Sequence, residues 1–483
     1  MEYEVVVVGG GIGGLTVAAL LAARGVKVCL FERQSQTGGC VANFEFQGYT
    51  FEPTSGLYSG WEPGGIHERI FSELSVQPPE VRRLSPAYTV RLPEHADVPV
   101  SGPQEKFEEN LRAAFPGCAD AAVSFYRKLD QVARTWLEEN NHPRRFEPNA
   151  SLLVDLAADT TAAHLSETSP RFQRFIDAQL QTFDLCSADR CSYVSAALTL
   201  TAPHRGMWAI RGGAQTLADK LGESLKTSGG SLRLNSPVLR LAYATDGAAI
   251  GVDLLSGERV IATRAIISNL TIWDTYGRLV GLSHTPAAIS AQLKLLEGCG
   301  AFVLFLGMDQ SAGARLGVDH FILLNDSQQS RAAGSESNRL AFAAAPEWDP
   351  RAPEGKRAVT VWTSADVSDW FAFHQDETAH EEQDQATLER LWPHLHAAMP
   401  ELSDGIEVIE TATPRTFHET TRRKLGMVGG LCSTPARMAS QSQFGSTIFP
   451  NLFLVGDTAS PGNGVDAVSR SALSLADAFA PQR

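Results

Sequence analysis

Two glycine-rich stretches, one near each end of the 483-residue chain, contain the residue types best suited to hold a phosphate-containing cofactor. "VVVVGGGIGG" places Gly9, Gly11 and Gly14 after a β-branched run that predicts a buried strand. "NLFLVGDTASPGNGVDAV" repeats the arrangement near the C-terminus, with Asp457 close behind a second apolar run. A helical pattern follows each stretch, and helix N-termini offer free N–H groups and positive potential to anions.

The N-terminal stretch fits G-x-G-x-x-G between strand Tyr3–Val8 and helix Thr16–Arg24, with a second strand, Val26–Phe31, beyond. The three glycines would permit the tight turn, the close approach of a pyrophosphate and the close helix–sheet contact. Glu32 stands 18 residues after Gly14, a spacing suited to a carboxylate that accepts hydrogen bonds from ribose and repels a 2′-phosphate. The predicted contacts are Gly9, Gly11, Ile12, Gly13, Gly14, Glu32 and Arg33.

A glycine pair, Gly38-Gly39, follows the second strand where an NAD domain would normally continue with another βα unit. The next residues, "VANFEFQGYTFE", alternate like a hairpin that turns at Gly48. This combination resembles the flavin amine oxidases and phytoene desaturases. The resemblance implies FAD as cofactor, with Gly38, Gly39 and Cys40 near its pyrophosphate and isoalloxazine and no covalent link at Cys40.

The same resemblance implies a role for the C-terminal stretch, because FAD lies extended in that family. Asp457 would accept a hydrogen bond from a ribityl hydroxyl, while Pro461-Gly462 and Gly464 would bring the backbone close to the ring. A helix beginning near Val465 would direct its positive end at flavin N1 and the C2 carbonyl, which favours the anionic reduced flavin. The predicted contacts here are Gly456, Asp457, Gly464 and Val465.

The middle of the chain supplies a third piece. Arg211-Gly212-Gly213 opens a predicted helix, Thr216–Thr227, and short strands ending at Ser268-Asn269 follow. This order resembles the phytoene desaturase and carotenoid isomerase group, and it implies that the backbone of Val238 meets the adenine, with a plain core valine as the alternative. "GGC" from Gly38 to Cys40 and "GDTASPGNGV" resemble the carotenoid isomerase and retinol saturase branch in particular.

Together these pieces predict an α/β fold: a discontinuous Rossmann-like FAD-binding domain with an inserted mixed α+β substrate domain. An apolar stripe in "VSFYRKLDQVARTW" predicts that the first inserted segment is rich in helix, and "AFVLFLGMD" and "AVTVWTS" predict strands in the second. A polar loop is predicted at 325–338. The predicted bounds are 1–60, 205–275 and 435–483 for the cofactor domain, and 61–204 and 276–434 for the substrate domain.

Composition limits the classes of partner and location. The net charge of −14 argues against nucleic acid, and no apolar run reaches the roughly 18 residues of a membrane span. The N-terminus lacks the basic region of a signal peptide. A cytoplasmic protein is predicted, with peripheral contact to a membrane surface left open. The seven scattered cysteines fit no zinc pattern and predict free thiols without a metal site; the oligomeric state is open.

The resemblance implies hydride transfer at flavin N5 on an apolar polyene or isoprenoid substrate, as desaturation, saturation or cis–trans isomerisation. An apolar tunnel would serve such chemistry better than a set of charged residues, and the sequence contains no convincing acid–base group. His204 and Arg205, in "TAPHRGMW", are candidates to approach the ring. The basic run Arg422, Arg423 and Lys424 is predicted to be a solvated turn.

Three alternatives stay open. A flavin amine oxidase would need an aromatic cage, which eight tryptophans and eight tyrosines permit. A non-catalytic prenyl-lipid carrier resembling the GDP-dissociation inhibitors shares the architecture, but both glycine turns and both acids, Glu32 and Asp457, are intact. A carotenoid-modifying oxygenase on the same fold cannot be separated from a desaturase by sequence.

Overall fold

The structure is a computed structural model that describes residues 1–100, 102–140, 152–324, 339–372, 376–402, 405–439, 449–459 and 462–480. The polar loop predicted at 325–338 and the predicted close approach at Pro461 lie outside the described residues.

The strands of the described residues are β1 Glu2–Val8, β2 Val28–Phe31, β3 Phe44–Phe46, β4 Tyr49–Phe51, β5 Val81–Arg83, β6 Tyr88–Arg91, β7 Asp97–Val100, β8 Trp208–Ile210, β9 Ser231–Arg233, β10 Val238–Tyr243, β11 Ala249–Leu254, β12 Arg259–Ser268, β13 Gly298–Asp309, β14 His320–Leu324, β15 Arg339–Ala344, β16 Lys356–Ala365, β17 Ile406–Ala412, β18 Val428–Leu431 and β19 Leu452–Leu454.

The α-helices are α1 Ile12–Ala23, α2 Ile66–Glu73, α3 Gln104–Ala114, α4 Ala119–Asn140, α5 Leu152–Ala158, α6 Pro170–Phe183, α7 Tyr193–Arg205, α8 Ala214–Thr227, α9 Ile272–Asp274, α10 Ala287–Leu295, α11 Gln310–Arg315, α12 Val367–Phe371, α13 Glu377–Ala398, α14 Pro414–Thr421, α15 Pro435–Ala439 and α16 Val465–Phe479. Within the described ranges, no helix is both long and apolar enough to cross a membrane.

In the described residues the first sheet has seven strands. Six follow the order β10-β11-β12-β1-β2-β9, and β19 pairs with the C-terminal end of β12, beyond the residues that pair with β11. Strand β1 lies parallel to both β12 and β2, and β12 is also parallel to β19. Val8 is in register with Phe31 on one side and with Ser268 on the other, and Ser268 pairs with Leu454. The carboxyl ends of four strands are therefore aligned along one edge of the sheet, where open α/β sheets bind their ligands.

Helix α1 is buried along almost its whole length and packs against α8 and α16. Its sequence is made of small and apolar residues, and this allows helices on both sides to come close. The helix begins at Ile12, so the predicted start at Thr16 was wrong. Gly11 has an extended backbone (φ −72°, ψ 172°), and the residues from Ile12 onward, predicted as loop, form the first turn of the helix.

The second sheet has eight strands in the order β17-β13-β16-β15-β14-β6-β7, with β18 beside β13. Its centre is the antiparallel pair of β13 and β16, in register from Gly300↔Ala365 to Asp309↔Lys356. Strands β6 and β7 come from the first inserted segment, which was predicted only to be rich in helix. Each of these strands has only four residues, which is too short for its sequence pattern to differ from that of a loop.

The two large sheets belong to different parts of the chain, as expected for a discontinuous cofactor domain with an inserted substrate domain. The predicted fold class is confirmed. The strands of the first sheet lie within 1–60, 205–275 and 435–483, and those of the second lie within 61–204 and 276–434. The bounds themselves stay a prediction.

One cysteine prediction was wrong. Cys186 and Cys432, expected to be free thiols, form a disulfide that joins the segment after α6 to the segment after β18. They are 246 residues apart in the sequence and their Cα atoms lie 5.2 Å apart, so only the fold brings them together. The other five cysteines form no disulfide: Cys29, Cys40, Cys118, Cys191 and Cys299.

Candidate flavin site and its cavity

A cavity of about 2240 Å³ begins at the aligned carboxyl ends of the first sheet and extends into the inserted segments. Both glycine-rich turns line it, and so does every cofactor contact predicted from the sequence except Gly14. The part nearest the first sheet is called the cofactor compartment here. The part between α5, the end of α6 and α7 is called the apolar compartment.

The N-terminal turn has the geometry that its sequence predicts. A Cβ on Gly14 would lie 2.2 Å from the carbonyl oxygen of Gly9, so this glycine serves the close packing of α1 and not the cavity wall. Gly38 donates its N–H to the carbonyl oxygen of Gly10 at 2.9 Å, which ties the glycine pair to the turn. Within the described residues no side chain caps α1, whose N-terminal residues Ile12 and Gly13 line the cavity. The turn can therefore offer backbone donors to a phosphate.

Glu32 is fixed by the backbone at the end of β2. Its two carboxylate oxygens accept hydrogen bonds from the N–H groups of Gly10 at 2.7 Å and Gln34 at 2.8 Å. A carboxylate has about four acceptor positions, so two remain for a ligand hydroxyl. Glu32 also lines the cavity, and its contact to ribose stays a prediction.

Asn269 lies between the two glycine turns, and its importance was missed. Its Nδ2 donates to the carbonyl oxygen of Gly9 at 3.4 Å. A Cβ on Gly11 would lie 2.8 Å from that Nδ2, and a Cβ on Gly13 would lie 2.8 Å from its Oδ1. The sequence contained a signal, since Asn269 directly follows β12, but only the parallel register places it against both turns.

The C-terminal turn faces the first across Asn269. Gly456 has a φ of +116° and Gly464 a φ of +93°, conformations that strongly favour glycine. Helix α16 begins at Val465 with no side-chain cap, and Val465 lines the cavity. The N–H groups of the first turn of α16 have no acceptor within the helix, so they and the positive end of α16 can face an electron-rich ligand group in the cofactor compartment.

Asp457 is paired with Arg423, whose Nη2 lies 2.9 Å from its Oδ2. The Arg423 side chain is only 16% exposed, so the predicted solvated turn is corrected at this residue. Burial disfavours its charged form, but pairing with Asp457 outweighs this and holds the pKa of Arg423 above its ordinary value. Burial also raises the pKa of the Cys40 thiol, which disfavours the thiolate that a covalent flavin link would need.

A group of arginines surrounds Glu32 at the outer end of the cofactor compartment. Arg33, Arg278 and Arg422 all line the cavity together with Val238. Burial and the charge of Arg422 lower the pKa of Arg33, and among the described residues its buried Nη1 has no hydrogen-bond partner. An anionic phosphate group would satisfy this donor, so the residues present fit a dinucleotide.

Apolar side chains line most of the apolar compartment. Ser195, Leu198, Thr199 and Ala202 form the face that α7 presents to it, and further walls come from Leu153, Ala157, Phe183, Leu185 and Met438.

Of the two candidates for approaching the ring, the structure brings only Arg205 to the cavity. Its Nη1 donates to the hydroxyl of Thr201 at 2.8 Å. His204 packs instead against the rings of Phe107 and Tyr126, with centroid distances of 4.5 Å and 6.0 Å. The two neighbours on α7 point to different sides of the helix.

Comparison with known proteins agrees with this geometry. The family model for flavin containing amine oxidoreductase matches residues 12–479. The chain therefore belongs to the flavin-containing amine oxidoreductase family and is a flavin-dependent oxidoreductase. This excludes the carrier alternative.

Two of the curated relatives are named as a prolycopene isomerase and an all-trans-retinol 13,14-reductase. The chain is 26% identical to prolycopene isomerase, chloroplastic, of Daucus carota over 496 aligned residues. The alignment covers 98% of this chain and 79% of that protein. It is 26% identical over 522 residues to all-trans-retinol 13,14-reductase of Danio rerio, covering 94% and 82%. Among solved structures, an oxidoreductase from Methanosarcina mazei matches with a TM-score of 0.65 at 18% identity, covering 98% and 99%, and supports the fold alone.

Proposed function

We propose that the protein binds FAD in the cofactor compartment and acts on a long apolar polyene or isoprenoid in the apolar compartment. The reaction is a hydride transfer at flavin N5, used for desaturation, saturation or cis–trans isomerisation of the substrate. The observation that carries the proposal is that one cavity joins the two glycine turns to a compartment lined by apolar side chains.

The residues have distinct tasks in holding the cofactor. Glu32 would accept from the ribose, the first glycine turn and Arg33 would hold the pyrophosphate, and the backbone near Val238 would meet the adenine. Asp457 would accept from the ribityl chain while α16 stabilises negative charge on the reduced ring. FAD, when bound, supplies an acceptor or donor of hydride, and the protein supplies orientation and electrostatics.

The size of the cavity supports two ligands in one space. Sites for a single drug-sized ligand are typically about 300–1,000 Å³. The cavity here is about 2240 Å³, which leaves room for a long second molecule beside a dinucleotide. Two of the relatives that the chain matches over nearly its whole length are named for prolycopene and all-trans-retinol, which are apolar polyenes.

A cytoplasmic location in peripheral contact with a membrane remains part of the proposal, because an apolar substrate would be delivered from a lipid phase. Because disulfides are rare in reducing compartments, the Cys186–Cys432 disulfide argues against the cytoplasmic part of this proposal.

The test is an anaerobic incubation of the purified holoprotein with mixed cis and trans carotenoids, with the flavin oxidised in one arm and chemically reduced in the other. Bleaching of the flavin with a longer chromophore formed means desaturation. A shorter chromophore formed by the reduced protein means saturation, and a change of geometry alone means isomerisation. A protein that carries FAD, leaves every polyene unchanged in both arms and oxidises amines would overturn the proposal in favour of an amine oxidase.

A further inference from the structure

A buried carboxyl group lies directly behind the cavity wall, since Phe183 and Leu185 line the cavity and Asp184 between them does not. Asp184, the residue after α6, is 1% exposed. Its Oδ2 accepts a hydrogen bond from the hydroxyl of Ser195 at 2.6 Å and one from the Cys191 thiol at 3.1 Å. Its Oδ1 accepts from Nδ2 of Asn463 at 2.9 Å. Three side chains from two distant segments, the start of α7 and the C-terminal turn, thus converge on one carboxyl.

Two of these three partners line the cavity. Ser195 belongs to the face of α7 that borders the apolar compartment, and Asn463 belongs to the C-terminal glycine turn. The carboxyl is therefore connected by single hydrogen bonds to the predicted substrate side and to the predicted flavin side. Cys191, in contrast, is buried outside the cavity wall.

The surroundings of Asp184 suit a group that gains and loses a proton. Burial raises the pKa of Asp184, although its hydrogen bonds oppose this. The titratable and charged groups that face it are the Cys191 thiol and the Arg437 guanidinium. Burial raises the pKa of Cys191 and lowers that of Arg437 to about 10, so both keep their protons near neutral pH.

We propose that Ser195 is the proton-transfer residue of the reaction and that Asp184 positions it and stores the proton. The inference rests on the proposed function. In desaturation, one substrate carbon loses a hydride, with its electron pair, to the flavin. The adjacent carbon loses a proton to Oγ of Ser195, whose own proton moves to Asp184, and the remaining electron pair forms the new double bond. Saturation reverses each transfer, and the net proton goes to or comes from Asp184.

The experiment compares Ser195→Ala, Ser195→Thr and Asp184→Asn with the wild-type holoprotein in single-turnover reactions with a carotenoid. Ser224→Ala is the matched control, because Ser224 is a fully buried serine on α8 that does not line the cavity. General acid–base groups contribute roughly 10²- to 10⁴-fold, so Ser195→Ala and Asp184→Asn should lose about that factor. Ser195→Thr, which keeps the hydroxyl, should recover most of the rate.

Two further measurements separate proton transfer from a structural role. The rate of the wild type should depend on pH through one ionisation that Asp184→Asn lacks. After a single desaturation turnover, the infrared spectrum should gain a protonated-carboxyl band that is absent before the reaction, and neither Asp184→Asn nor Ser195→Ala should develop this band. FAD content, read from the absorbance spectrum, should be the same in wild type and Ser195→Ala.

The outcomes are distinct. An active wild type with Ser195→Ala and Asp184→Asn variants of unchanged rate and pH profile would overturn this inference and leave the proposed function standing. A wild type that binds FAD but changes no polyene would overturn both. If only Asp184→Asn misfolds, Ser195→Ala decides. An unchanged rate in Ser195→Ala would overturn the inference. A lower rate with normal FAD content would support it.

Discussion

At the scale of single residues, the charge of Asp457 in the cofactor compartment is balanced by Arg423, which lies 34 residues away in the sequence. Asp457 was predicted as a flavin contact from its place after β19, and it does line the cavity. Its partner Arg423 was not predicted, because a run of three basic residues usually lies in solvent. Only the packing of α14 beside the C-terminal turn converts Arg423 into a half-buried ion pair.

Asp457→Ala should weaken FAD retention, because the variant loses the predicted ribityl acceptor and leaves Arg423 without its partner. A hydrogen bond to a charged group contributes about 1.5–3 kcal/mol, so FAD affinity should fall about 10- to 150-fold. Flavin absorbance after dialysis measures this. Asp253→Ala, which removes an ion pair with Arg259 on the exposed side of the first sheet, is the control. Full flavin occupancy and wild-type affinity in Asp457→Ala would refute its role.

His204 offers a prediction about pH. Burial lowers the pKa of His204 from 6.5 to about 4, and neither ring nitrogen has a hydrogen-bond partner among the described residues. The unfolded chain therefore binds a proton that the folded protein does not, and stability falls as pH decreases from about 6.5 towards 4.

Replacing His204 by Phe should remove that loss, because a phenyl ring fits beside Phe107 and has no proton to bind. Between pH 7 and pH 5 the variant should lose about 2 kcal/mol less of its free energy of unfolding than the wild type. Chemical denaturation at the two pH values measures the difference, and His284→Phe at an exposed histidine is the control. Equal losses in wild type and His204→Phe would show that this residue does not titrate with folding.

At the scale of elements, the glycine turns were predicted well because their cause is local. A strand, three spaced glycines and an apolar helix define the turn within a few residues. What the sequence could not reveal is the contact of the turn with Asn269, since that depends on β12 pairing beside β1. The start of α1 was predicted too late for a related reason: glycines that begin a helix look like loop in a sequence.

Gly11→Val should yield protein without FAD. A Cβ at this position would lie 2.8 Å from Nδ2 of Asn269, and the larger side chain would extend into the space predicted for the pyrophosphate. Gly117→Ala is the control, because a Cβ there would meet no atom within 4 Å. Cofactor analysis of the purified variants by absorbance and chromatography decides the matter. Stoichiometric FAD in a folded Gly11→Val variant would contradict the role assigned to the turn.

The disulfide also belongs to this scale, because it joins two elements of the cavity wall. Under denaturing conditions without reductant the protein should present five reactive thiols, and with prior reduction seven. Cys432→Ser should lower the free energy of unfolding by about 2–4 kcal/mol, while Cys118→Ser at a free, half-buried thiol should have a small effect. Seven reactive thiols in the unreduced protein would show that the pair is not formed.

At the scale of the whole molecule, the division into two sheets could be predicted because each sequence segment has its own pattern. The cavity could not be predicted in the same way. Its walls come from both ends of the chain, from α5 to α7 and from β18 and α15, so it exists only after every inserted segment has returned to the first sheet. Asp184 escaped notice for this reason: Asn463, which is 279 residues away, makes it part of the site.

The most direct test of the whole account is an anaerobic titration of the oxidised holoprotein with a carotenoid, followed by flavin absorbance. If FAD and polyene share one cavity, the flavin bands should shift or bleach and reach saturation with increasing polyene. Asp457→Ala reloaded with FAD should show the same response at lower occupancy. A flavin spectrum that no polyene alters, in protein that carries stoichiometric FAD, would contradict the shared cavity and the function derived from it.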